Sequence, residues 1–298
     1  MKQILNTIFL KDCIDSLDER YKSLINKDLT KYFSYANIFD LPLYYNLFTL
    51  KKNPDYNLYN KLHENKIIET IKLIVDKIKE ENYDAELILF IYSYICNLSL
   101  NNSIDSYVKA QSKVSRFTSK KRKMHKYSKT TKYIEIQFYE DQYNEKISKF
   151  QINHYDITLG DKTFDLLKEI TSKLHLFSLG INVIKIGLDN FKYYNKKYFK
   201  KCNLGIKLKT KSLDTVTKNK RYSASSFFIK KSPIKDYLNK GNEIWINENE
   251  ETTDSFYDIY QKTIKKTTEL LNLISEKIHY NSKNDKQIEQ HIKSVLPK

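Results

Sequence analysis

Apolar residues recur at helical spacing along most of the chain. In residues 2–27 they fall at Ile4, Ile8, Ile14, Leu17, Tyr21 and Leu24, which predicts a first helix. From Leu29 to Tyr59 the period dissolves into aromatics around Pro42 and Pro54, the pattern of an irregular connector packed on a core. Leu62–Tyr83 is the clearest amphipathic helix, with Ile67, Ile71, Ile74, Val75 and Ile78 on one face and Lys and Glu opposite. Asp84 is placed to cap the next helix, Ala85 to about Ser103, whose near-continuous apolar character predicts burial on most sides. Further helices are expected over Tyr133–Phe150, Thr163–Ile186 and Asp189–Lys201, the second of these bounded by Gly160 and Gly187. A last long helix is expected over Thr253–Tyr280, capped by Thr252, Thr253 or Asp254. Between them, 106–132 reads as a basic loop insertion, 202–250 as an irregular segment and 281–298 as a polar tail. The pattern predicts an all-α, multi-helix bundle in a single domain over 1–298.

Composition supports that class. Five Gly and four Pro in 298 residues leave few tight turns for a many-stranded β fold. The 52 Lys and Arg against 36 Asp and Glu give a net charge of +16. Lys, Asn, Ile and Tyr are in excess throughout, the mark of an AT-rich genome, so total basicity is a weak pointer to any partner. Its distribution says more. Residues 106–134 carry ten Lys or Arg and no acid, and 192–221 carry eleven against Asp214 alone; each contributes +10, which leaves the rest of the chain at −4. Cys13, Cys96 and Cys202 are widely spaced and form no CxxC pair, so they predict neither a disulfide framework nor a thiolate zinc site. No signal peptide is read at the start of the chain, and the most apolar run, Leu87–Leu100, is too short and too rich in Tyr, Ser and Asn to span a bilayer. A cytoplasmic protein is expected.

Three polar residues stand on one stripe of the apolar helix at spacing four: Asn97, Asn101 and Asp105. An unsatisfied polar group there costs about 1–3 kcal/mol, so something must face the stripe. It is either a hydrogen-bonded seam between helices or the remains of a row of metal ligands.

The stretch FIYSYICNLSLNNSIDSYV, 90–108, resembles the central motif of the bacterial zinc-dependent phospholipase C family. DLPLYYNLF at 40–48, LHENKI at 62–67, TKYIEIQFY at 131–139 and IWINENEETTDSFYDIYQKTI at 244–264 resemble further segments of that family, in the same order. The resemblance implies the phospholipase C / P1 nuclease-type helical fold, zinc as cofactor and phosphodiester hydrolysis. Carried over position by position, it keeps Asp40, His63 and Glu135 as metal ligands and puts Asp105 in place of a His. Four ligand positions are eroded to neutral residues: Thr7, Asn97, Asn101 and Thr131. Neutral amide and hydroxyl oxygens are weak zinc ligands, so the replacements imply fewer ions than the family holds, or none.

His125, His154, His175, His279 and His291 have no partner at ligand spacing. The basic insertion lies, by the resemblance, at the mouth of the metal site; it reads as a solvated loop or as an anion-binding flap, with Lys120, Lys121, Arg122, Lys123 and Lys126 as candidate contacts for anionic lipid headgroups or nucleic acid. The leading expectation is a phospholipase C-like protein with an eroded metal site that binds without catalysis. The alternatives are an active metal-dependent phosphodiesterase with altered ligands and a polyanion-binding module.

Overall fold

A computed structural model describes residues 2–23, 25, 28–45, 63, 67–113, 120–150, 157–173, 180–198, 232–247, 250–280 and 285–296. The chain is mostly helical. Helix α1, Gln3–Asp15, is followed by the single turn α2, Glu19–Lys22, so the first apolar run breaks where Ser16 turns its hydroxyl back to the Asp12 carbonyl. The aromatic connector is helical in its first part: α3 spans Leu29–Ala36, capped by Asp28, and leads into a 3-10 turn, Ile38–Asp40, and the short helix α4, Leu41–Tyr44. Helix α5, Ile67–Glu80, buries the predicted face of Ile67, Ile71, Ile74, Val75 and Ile78.

Helix α6, Ala85–Gln111, is the axis of the molecule. Asp84 caps it as expected, accepting hydrogen bonds from Glu86 N at 2.9 Å and Leu87 N at 3.3 Å. Helices α1, α3 and α5 pack around it, as do four later ones and a strand. By length and composition α6 would suffice to cross a membrane, but 83% of its most apolar window is buried by the rest of the chain. That is the position of a core helix.

The basic segment 106–132 is not a loop over its described length. Helix α6 runs on to Gln111, and α7 covers Lys120–Tyr143, taking in all five of the candidate anion contacts. Lys, Arg and Met are strong helix formers, and no Gly or Pro interrupts 120–143, so propensity carries the helix where apolar periodicity is absent.

Thr163–Ile186 is likewise two helices, α8, Asp161–Lys173, and α9, Gly180–Tyr198. Gly187 does not bound a helix but lies within α9, where a Cβ would come within 2.3 Å of the Leu41 carbonyl oxygen. Its lack of a side chain lets α9 pack directly on α4.

Of the irregular segment 202–250, residues 202–231 and 248–249 lie outside the described residues; 232–244 is irregular, and strands β1, Trp245–Asn247, and β2, Glu250–Thr252, pair antiparallel with Trp245 opposite Thr252. Helix α10, Phe256–Tyr280, begins with a reciprocal cap that none of the three expected residues supplies: Ser255 Oγ accepts from Asp258 N, and Asp258 accepts from Ser255 N. The polar tail carries helix α11, Asp285–Val295, whose Ile288, Ile292 and Val295 are buried at spacing four and three. One continuous core joins side chains from all of the longer helices.

Candidate functional site

The polar stripe of α6 faces a buried polar chamber walled by α1, the 3-10 turn and α7. Asp40, His63, Asn97, Thr7, Thr131 and Glu135 are all buried, and Asn101 and Asp105 are half-buried. The structure assigns each of them a protein partner or a charged neighbour from the chain itself.

Asn97 anchors the centre. Its amide nitrogen donates to the Ala36 carbonyl at 3.3 Å, which fixes its Oδ1 as the atom facing His63 and Asn101. Oδ1 accepts from Asn101 Nδ2 at 2.8 Å and lies 2.9 Å from His63 Nε2. An amide oxygen only accepts, so Nε2 of His63 carries the proton. The lone pair a metal would need on that nitrogen is absent.

Glu135 is still more committed. Its Oε1 accepts from Ile4 N at 2.7 Å and Leu5 N at 3.2 Å, and its Oε2 is paired with Lys132. Helix α1 has no side-chain cap of its own and no acid in its first turn. A carboxylate from α7 therefore caps α1 from outside and meets the positive end of its dipole. Lys132 sits one turn before Glu135 on the same face, and both are buried.

Asp105 accepts from Tyr127 Oη at 2.9 Å and pairs with Lys109. Thr7 and Thr131 turn their hydroxyls back onto their own helices, to the Gln3 carbonyl at 2.7 Å and the Tyr127 carbonyl at 3.0 Å. Asn6 and Asn37 extend the network, Asn6 Nδ2 donating to Asn37 Oδ1 at 3.3 Å. Burial raises the Asp40 carboxyl above its ordinary value, while the charges of His63 and Lys2 pull the other way.

Lys2 is the residue that sequence reasoning missed. Its side chain is buried, and its ammonium feels Asp40, Asp105 and Glu135, three of the four candidate ligands. Desolvation outweighs their attraction and brings its pKa down to about 7. Among the described residues its Nζ has no hydrogen-bond partner, and neither have Asn6 Oδ1 and Ser128 Oγ. A lysine next to the start of an apolar run gives no sequence signal of burial. Lys132 did give one, its spacing of three from Glu135.

The donor set does not fit a zinc cluster. His63 presents a proton at Nε2, Glu135 is spent on two backbone N–H groups and an ammonium, and a second ammonium lies among the carboxylates. Among the described residues no three His, Cys, Asp or Glu side chains gather where they would hold a metal ion. Of the candidate anion contacts, Lys126 is exposed and Lys123 half-buried; the side chains of Lys120, Lys121 and Arg122 lie outside the description. Comparison with protein-family models, with curated proteins and with solved structures finds no match.

Proposed function

We propose that the chain is a zinc-dependent phospholipase C-like protein whose metal centre has been replaced by a protein-only polar network, and that it acts as a binding or scaffold protein rather than a hydrolase. The observation that carries this reading is Glu135, whose carboxylate is taken up by Ile4 N at 2.7 Å, Leu5 N at 3.2 Å and the buried Lys132 ammonium. An ammonium paired with that carboxylate supplies no open coordination position and no activated water. The order of the five sequence segments supports the phospholipase C / P1 nuclease-type topology as the origin of the helical bundle. Four of those segments bring a residue to one chamber: Asp40 on the 3-10 turn, His63, Asn97 with Asp105 on α6, and Glu135 on α7. A reducing, cytoplasmic setting suits the buried free thiols of Cys13 and Cys96.

Hydrolysis tests the reading. The protein supplied with zinc is expected to cleave p-nitrophenyl phosphocholine no faster than its His63→Ala and Glu135→Ala variants. Zinc-dependent cleavage that a chelator stops and either variant abolishes would restore the alternative of an active phosphodiesterase with altered ligands.

A further inference from the structure

A second feature lies outside the chamber, where the C-terminal end of α6, the outer side of α7 and the segment 232–237 meet. Lys235 Nζ reaches the Gln111 carbonyl at 3.3 Å, which brings it to the last turn of α6 and beside Lys113. The Tyr237 ring lies under Lys235 Nζ at 4.6 Å and packs on Tyr133 of α7 at 5.2 Å between centroids, and Lys129 Nζ covers the Tyr133 ring at 5.4 Å. Lys113, Lys126 and Lys129 are exposed. Ile234, next to Lys235, is fully exposed.

Three of the acids nearby have partners within the chain, and Glu243 acts on Lys235 itself. Asp236 accepts from Leu238 N at 2.9 Å and Lys240 N at 2.6 Å, Asp141 is bound by Lys240 and Tyr257, and Asp105 pairs with Lys109. From 106 to 134 the chain has no acid at all. Burial lowers the Lys235 pKa first and the like charge of Lys113 lowers it further, while Glu243 and Asp236 pull the other way; among the described residues, lysines still outnumber acids on this face.

We infer that this face, formed by Lys113, Lys126, Lys129 and Lys235 with Ile234 at its rim, docks on the surface of an anionic lipid bilayer. Charge complementarity selects a polyanion, and two observations select a bilayer over a nucleic acid. The face of Tyr133 is covered by Lys129 and that of Tyr237 by Lys235, and the two rings pack on each other, so neither of these rings offers an open platform to a base. Ile234 places an apolar side chain in water, where a phosphate backbone would leave it and an interfacial region would bury it. Each lysine held near an anionic surface strengthens binding roughly fivefold, and the effect falls off within a Debye length.

Co-sedimentation of the full chain with phosphatidylcholine vesicles, with and without phosphatidylserine, tests the inference. The protein is expected to bind only the phosphatidylserine vesicles and to be released by high salt. Lys126→Glu with Lys129→Glu, both exposed and on a helix, is expected to weaken binding more than tenfold with an unchanged thermal melt. Ile234→Ser is expected to weaken it without changing the salt dependence. Equal binding to both vesicle types, or binding indifferent to the charge reversal, would overturn the inference. So would single-stranded RNA or duplex DNA that binds more tightly than the vesicles at the same salt and is lost with the same two substitutions. The assay reads the outer face alone, so its failure would leave the metal-free reading of the chamber standing, and the reverse holds for the hydrolysis test.

Discussion

Glu135 holds two backbone N–H groups at 2.7 and 3.2 Å and an ammonium, which accounts for both of its carboxylate oxygens. Removing it would orphan a buried Lys132 and uncap α1 together. Glu135→Ala is therefore expected to cost about 3–5 kcal/mol of unfolding free energy, read by urea denaturation, because it leaves a buried charge unpaired. A loss under 1 kcal/mol would mean that the network is not what holds α1 to α7. His279 offers a separate residue-scale test by pH. It stacks between Tyr21 at 5.9 Å and Tyr83 at 5.5 Å, its Nε2 has no partner, and burial lowers its pKa. A histidine whose folded pKa lies below its unfolded value binds fewer protons folded than unfolded, so stability falls as pH drops through about 6.5 and below. The wild-type thermal midpoint is expected to fall more between pH 7 and 5 than that of His279→Phe; equal slopes would contradict this. Asn97 was legible as special because a polar stripe on an apolar helix stands out in the sequence, whereas Asp40 and Glu135 were singled out by the family resemblance alone. Lys2 was not, since its burial depends on three elements that meet only in the folded chain.

At the level of elements, signals carried by short spacing were the readable ones. The Asp84 cap, the apolar face of α5 and the core run of α6 all follow from residues within a turn or two of each other. Elements were misread where the deciding information was propensity or a distant partner. The first half of α7 has no apolar stripe, yet it is a helix. The spacing of Ile288, Ile292 and Val295 in α11 is helical but sits in a polar context, and so reads as tail. Gly187 reads as a boundary because glycine usually is one, whereas its role is close approach to Leu41. Gly187→Ala is expected to destabilise the fold by about 1–3 kcal/mol, because the new methyl group meets a backbone carbonyl that cannot rotate away. Urea unfolding with an unchanged midpoint would show that α9 shifts without penalty.

Across the whole molecule, charge is divided between inside and outside. Inside, Lys132 pairs with Glu135 and Lys2 is buried in the field of the chamber's carboxylates, while outside, Lys113, Lys126, Lys129 and Lys235 gather where α6 ends and α7 passes. The all-α class was readable from helical periodicity and the scarcity of Gly and Pro. The chamber's polar wall was readable from the stripe on α6, but not what faces it, because a sequence does not say whether an Asn row meets a metal or a histidine proton and two lysines. In the reading we propose, the chain fills its own site with side chains in place of metal. Elemental analysis of protein expressed with added zinc and purified without chelators tests it most directly. Zinc well below one ion per chain, unchanged in Glu135→Ala, is expected; two or more tightly held zinc ions per chain, lost in that variant, would mean that a metal centre is intact.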